Sequence, residues 1–125
     1  MADEKKTIMI VEDDRFLSSL IKARLEKDGF TATQAFDGDE AIKMLRQGTW
    51  DLIVLDLIMP KVSGFEVLEA ISLDPQLNKT PIVILSNLAQ DSDIEKAKSL
   101  GATEYFVKVR VSIDDLVNKV KTIIK

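Results

Sequence analysis

Apolar residues follow two alternating rhythms along the chain. Four short runs, "TIMIV" (Thr7–Val11), "DLIVL" (Asp51–Leu55), "PIVIL" (Pro81–Leu85) and "EYFVK" (Glu104–Lys108), are nearly continuous and rich in Ile and Val. Such runs suit strands covered on both faces. "FTATQAF" (Phe30–Phe36) is more polar and reads as an edge strand. Between the runs the spacing turns helical. Leu17, Leu20, Ile21 and Leu25 form one stripe, stopped by Asp28–Gly29; Ala41, Ile42 and Leu45 form a second, ended near Gly48. Phe65, Leu68 and Ile71 precede Pro75, Ile94, Ala97 and Leu100 are closed by Gly101, and Ile113, Leu116, Val117, Val120 and Ile124 make the last stripe. Glycine just past a periodic stretch is a common helix stop.

Start signals agree with these stripes. Ser63–Glu66, Ser92–Glu95 and Ser112–Asp115 match the capping-box spacing, in which a hydroxyl and a carboxylate satisfy free amide groups reciprocally. The chain therefore reads as strand then helix, five times over, with no linker or low-complexity tract. Parallel strands need crossovers, and right-handed crossovers place helices on both faces of the sheet. An α/β, doubly wound, five-stranded parallel sheet is expected. Two strand orders are common for such sheets, and both bind ligands at the carboxyl ends of strands beside the switch point. The loops after the first, third, fourth and fifth strands are where chemistry is to be sought.

Composition narrows the chemistry. The length of 125 residues suits a single domain spanning the chain, and 46% apolar with 30% charged residues is ordinary for a globular protein. A net charge of −4 offers no field to attract nucleic acid or acidic lipid. The chain has no Cys, hence no disulfide or thiolate nucleophile, and no His, the usual general base. Catalysis is left to carboxylates, hydroxyls and lysines. The polar start "MADEKK" and the lack of a long apolar run predict neither leader nor membrane span, so a cytoplasmic address is expected.

The strand ends carry what remains. Glu12, Asp13 and Asp14 follow the first strand, Asp56 the third, Ser86 the fourth and Lys108 the fifth. Singly, each has a plain reading: acid at a helix start, a turn residue before Pro60, a cap hydroxyl, a solvated cation. Together they place carboxylates, one hydroxyl and one ammonium at one end of a sheet. In the order 2-1-3-4-5, the first and third strands are neighbours about 5 Å apart, which brings Asp13 to Asp56. Like charges so close raise one another's pKa or recruit a cation, and Mg²⁺ suits one or two carboxylates with room for phosphate oxygens. The acids after the first strand repel phosphate directly, so a Gly-rich nucleotide cradle is excluded there.

"IMIVEDD", "LIVLDLIMPKVSG", "PIVILS" and "GATEYFVK" resemble, in order and spacing, the successive signatures of the receiver domain of two-component response regulators, the family of the chemotaxis regulator. The resemblance covers essentially the whole chain and implies the flavodoxin-like order 2-1-3-4-5. It implies that Asp56 is the phosphoacceptor for a phosphohistidine of a sensor histidine kinase or histidine phosphotransfer protein. It implies Mg²⁺ held by Asp13, Asp56 and the main-chain carbonyl of Ile58, with Glu12 orienting metal-bound water. Ser86 and Lys108 would contact phosphoryl oxygens. Movement of Ser86 would let Tyr105 turn inward and remodel the face of the fourth helix, fifth strand and fifth helix, where a downstream target protein binds. The resemblance also allows a phosphorylation-dependent dimer.

Two departures matter. The family's usual proline after the strand-5 lysine is Val109 here, and a cis bond before Val would cost about 2.5–4 kcal/mol, so a trans bond is expected. The usual "MPxMDG" reads "MPKVSG", with Ser63 expected to cap the third helix in place of aspartate. Ile58 and Leu88, two residues beyond Asp56 and Ser86, gate attacking water in this family; both are apolar here, which predicts a long-lived phosphorylated form. Two other functions remain on the table. A Mg²⁺-dependent phosphohydrolase would want a second acid where Ile58 stands. A receiver-shaped interaction module that no longer switches is kept in play by Val109. The chain ends after the fifth helix with no output domain, so a stand-alone regulator is expected unless the piece is excised.

Overall fold

The computed structural model describes residues 5–124; the first four residues, on which the expectation of no leader partly rests, lie outside it. Five strands and five α-helices alternate: β1 Thr7–Val11, α1 Arg15–Lys27, β2 Thr31–Ala35, α2 Gly38–Leu45, β3 Leu52–Leu55, α3 Gly64–Leu73, β4 Ile82–Ser86, α4 Asp91–Ser99, β5 Glu104–Val107 and α5 Ile113–Ile124. A short 3₁₀ turn, Lys108–Arg110, joins β5 to α5. The strands form one parallel sheet in the order β2-β1-β3-β4-β5. That is the flavodoxin-like arrangement, with its switch point between β1 and β3.

Alternate residues of each central strand feed opposite cores, because successive side chains point to opposite faces. Met9, Val11, Ile53, Leu55 and Ile84 pack against Ala41 and Leu45 of α2, Val67, Leu68 and Ile71 of α3, and Ala97 of α4. Ile8, Ile10, Leu52, Val54, Val83 and Leu85 pack against Ile21 and Leu25 of α1 and Leu116, Val117 and Val120 of α5. Near-continuous apolar runs in β1, β3 and β4 are thus the mark of a sheet covered on both sides. Ion pairs tie α1 to α5 at the rim of the second layer, Arg24 to Asp114 and Lys121 to Asp28.

Some local expectations are corrected. "EYFVK" looked like a doubly covered strand, but β5 closes one end of the sheet and all four of its residues are only half-buried. Its strand ends at Val107, and Lys108 opens the 3₁₀ turn. Leu20 does not join the α1 stripe; it is exposed, while Ser18, Ile21 and Leu25 face inward. Ser92 is not a cap, because α4 starts one residue earlier and Gln90 takes the cap position without a side-chain bond. Asp91 and Asp93 in that first turn complement the helix dipole instead. Ser63 and Ser112 do cap, the latter reciprocally with Asp115. A further cap of this kind is Asp37, whose carboxylate accepts from Glu40 N–H while Glu40 accepts from Phe36 N–H.

Candidate functional site

The sheet continues a residue past its strands and so delivers two acids to one rim. Glu12 N–H donates to Ala35 O (3.1 Å) and Asp56 N–H donates to Val11 O (3.0 Å), extending the β1–β2 and β3–β1 ladders. With their backbones locked this way, Glu12 and Asp56 stand side by side, 2% and 4% exposed. Burying two carboxylates without a partner would be costly. Their partner comes from the turn just past β5: Lys108 Nζ lies 2.7 Å from Glu12 Oε1 and 2.9 Å from Asp56 Oδ2. One ammonium bridges both acids.

The charges explain the protonation behaviour. Burial pushes the Glu12 carboxyl up to about 7 and the Asp56 charge adds to this, against the lowering pull of Lys108 and the Asp14 N–H. Burial alone would pull the Lys108 ammonium down, but its hydrogen bonds to Glu12 and Asp56 carry it above its ordinary value. Lys108 keeps its proton, and Glu12 exchanges one near neutrality. Asp13 is exposed beside this pair, and oxygens of Glu12, Asp13 and Asp56 all lie within 4.8 Å of one another. Three hard oxygen donors with an open side form a donor set of the type divalent Mg²⁺ or Ca²⁺ accepts.

The loop from Leu57 to Ser63 is folded tightly under the acids. Gly64 N–H donates to Leu57 O (3.0 Å), and a Cβ on Gly64 would sit 2.2 Å from Asp56 O and 2.5 Å from Leu57 Cα. Only glycine lets the α3 N-terminus approach the Asp56 peptide this closely. Lys61 turns the loop with φ +67°, a conformation that costs a non-glycine residue about 1–2 kcal/mol. Ile58 N–H donates to Asp56 Oδ1 (3.2 Å), which holds the carboxylate toward the open cleft.

The remaining sequence-derived candidates fall into three positions. Glu12, Asp13, Asp14, Asp56, Ile58 and Lys108 line one cleft. Ser86 is fully buried at the end of β4, where its Oγ accepts from Leu88 N–H (3.4 Å). Tyr105 on β5 donates its hydroxyl to Leu88 O (2.6 Å), so it is tied to the loop that Ser86 begins. Leu88 packs its side chain on the first core layer, whereas Ile58 is 52% exposed beside the cleft. Asp14 lines the cleft too, while its carboxylate caps α1 by accepting from Leu17 N–H (3.1 Å). Asn87 also lines the cleft and was not singled out from the sequence, although its place directly after Ser86 on a strand-end loop was the available signal. The peptide between Lys108 and Val109 is trans, since no cis bond occurs among the described residues.

Comparison with known proteins agrees with this fold. Residues 8–121 match the family model described as the response regulator receiver domain. The chain is 37% identical over 119 residues to the uncharacterized transcriptional regulatory protein YcbL of Bacillus subtilis, covering 94% of this chain and 50% of that protein. It thus spans about half the length of this relative. The receiver domain of the Francisella response regulator 1452 superposes with a TM-score of 0.86 at 30% identity, covering 95% of this chain and 96% of that one. The chemotaxis protein CheY4 of Vibrio cholerae superposes with a TM-score of 0.89 at 25% identity, covering 96% and 99%. A switch-point rim of acids answered by one lysine, on this strand order and with this family match, leaves one assignment: the chain belongs to the response regulator receiver domain family.

Proposed function

We infer that Asp56 is the acceptor of a phosphoryl group delivered by a phosphohistidine on a sensor histidine kinase or a histidine phosphotransfer protein. One observation carries this reading: a single ammonium bridges Glu12 and Asp56 at 2.7 and 2.9 Å, so the acceptor carboxylate is buried, aimed and partly neutralised. An anionic phosphoryl group can approach a carboxylate only when that charge is offset. An Asp56 oxygen attacks phosphorus as the P–N bond breaks, and the electron pair stays on the imidazole nitrogen, which takes up a proton. Lys108 then pairs with a phosphoryl oxygen, and Ser86, whose Oγ only accepts from Leu88 N–H, donates its proton to another. Such transfer is mostly positioning and charge stabilisation, for which no histidine on this chain is needed.

Asp13, Asp56 and the main-chain carbonyl of Ile58 would hold Mg²⁺, with Glu12 beside them as a further carboxylate. When bound, the ion offsets the crowded carboxylates and the charge of the incoming phosphoryl group. The chain would turn over no separate substrate: it would accept a phosphoryl group and lose it slowly, since the side chains of Ile58 and Leu88 have no polar atom to orient water. Tyr105 couples this event outward, because the loop holding its hydroxyl is the loop that begins at Ser86. The face built by α4, β5 and α5 would bind a downstream target protein or form a phosphorylation-dependent dimer. Direct contact with nucleic acid is not part of this reading, given the net charge of −4. The chain is read as one receiver domain over residues 1–125 with a cytoplasmic address; among the described residues no helix is long and apolar enough to cross a membrane.

Incubation with Mg²⁺ and a small acyl phosphate tests the reading by intact-protein mass. Addition of one phosphoryl group, lost in Asp56→Asn, is the expected result. Continuous turnover of the donor would instead indicate a hydrolase. Absence of both would leave an interaction module.

A further inference from the structure

Lys108 divides two spaces of opposite character. On one side is the acid-lined cleft. On the other lies a mostly apolar hollow of about 50 Å³, lined by Leu17 of α1, Leu85 of β4, Val111, Ser112, Ile113 and Leu116 near and in α5, and Lys108. Lys108 is the only residue that lines both. Its side chain is 19% exposed, with the ammonium held by Glu12 and Asp56. Long charged side chains commonly rest their methylene stems on apolar surface in this way. The hollow is half-open to solvent, and its buried wall is formed by Leu85 and Leu116 beside the Lys108 stem.

A use for it follows from the geometry of the unloaded site. The ammonium touches Asp56 Oδ2 directly, at 2.9 Å. A phosphoryl group carried on Asp56 Oδ2 takes the place of that ion pair, so on this oxygen the ammonium has to withdraw by about the width of the new group. Its main chain cannot retreat freely, because Val107 is paired to Ser86 in the sheet and the 3₁₀ turn follows at once. The stem must therefore refold, and the hollow is the adjoining space into which methylenes can move without meeting packed atoms.

We propose that this hollow is the recoil space of Lys108 and that Val111 and Leu116 are positioning residues, setting how readily the acceptor site opens to a phosphoryl group. The proposal rests on Asp56 being the acceptor. It separates two quantities that ordinary packing would move together: filling the hollow stabilises the fold and slows acceptance, while enlarging it destabilises the fold without slowing acceptance.

The test uses the whole chain, Mg²⁺ and a small acyl phosphate, which transfers its phosphoryl group to Asp56 as its P–O bond breaks and the carboxylate leaves. Val111→Ile adds one methylene to the hollow; it should raise Tm yet be labelled about tenfold more slowly than wild type. Val111→Ala should lower Tm and be labelled at least as fast. Labelling of Val111→Ile at the wild-type rate with a raised Tm overturns the proposal. Should Val111→Ile lose stability instead, NMR on the wild type decides: NOEs from the Lys108 methylenes to the Val111 and Leu116 methyls should strengthen when Mg²⁺ and beryllium fluoride load the site, and unchanged or weaker NOEs overturn the idea. Failure of the wild type to be labelled at all would count against Asp56 as acceptor, and is thereby distinguishable.

Discussion

Replacing Lys108 by Met keeps an apolar stem and removes the ammonium that Glu12 and Asp56 share. Both acids are almost fully buried, and Lys108 is the cation the structure places against them. Removing one partner of a buried ionic group costs about 3–5 kcal/mol, and the partial exposure of Lys108 argues for the lower end, about 3 kcal/mol. The loss must depend on pH. Glu12 is pushed from its ordinary 4.5 to about 7, so the fold favours its neutral form; that contribution is whole below the unfolded value and is lost as pH rises through about 7. In the variant the lowering pull of Lys108 is gone, so the carboxyl climbs further and the loss extends to higher pH. Each added pKa unit is worth about 1.4 kcal/mol between the two limits. The variant should therefore be weaker than wild type by about 3 kcal/mol near pH 8.5 but by only about half of that near pH 5.5. Urea unfolding reports this through Trp50, whose indole N–H donates to Leu45 O at 3.0 Å and whose environment is lost on unfolding. An equal stability loss at the two pH values would refute the bridged-acid account.

Three further outcomes are expected. Gly64→Ala should cost about 3 kcal/mol in urea unfolding, because its Cβ would fall 2.2 Å from Asp56 O; a loss below about 1 kcal/mol would mean that α3 can back away from the acid loop. Ile58→Asn should speed loss of the phosphoryl group roughly tenfold once labelled, measured by mass after the donor is removed; identical decay in both proteins would clear Ile58 of any gating role. Tyr105→Phe should lose about 1 kcal/mol with its bond to Leu88 O while Asp56 labelling persists; abolished labelling would place Tyr105 in the acceptor chemistry itself.

Strand and helix placement was legible because both faces of the central strands are covered, and such strands write themselves as unbroken apolar runs; the strand order came from the family resemblance. The same signal misled at β5. "EYFV" is apolar enough for a central strand, yet its place at the end of the order depends on which strand it pairs with, a fact no local window contains. Ser92 shows the same limit at the scale of one turn. Its capping role depended on where α4 begins, and the acids Asp91 and Asp93 let the helix start earlier without a side-chain cap. Leu20 fitted the helical period but lies at the margin of the buried stripe, where a single residue's rotation about the axis separates core from solvent.

The site was legible as a set of strand ends and illegible as a set of distances. Glu12, Asp56 and Lys108 are each ordinary in their local sequence. What joins them is a ladder that extends past β1 and β3 and a lysine that crosses β4 to reach both acids. Asp14, the next residue along, lines the same cleft but turns a carboxylate oxygen to capping α1. The arrangement is also poor construction if stability is its only end. A buried ionic cluster can often be replaced by apolar side chains of similar size with no loss or even a gain, whereas here burial already pushes Glu12 up to about 7. Leucines at positions 12 and 56 would seal the rim against the layers beneath and leave Lys108 to solvent. On the proposed reading of Asp56 as acceptor, the carboxylates have a purpose beyond stability: a cation or phosphoryl group entering the cleft relieves the crowding that Lys108 alone offsets only in part.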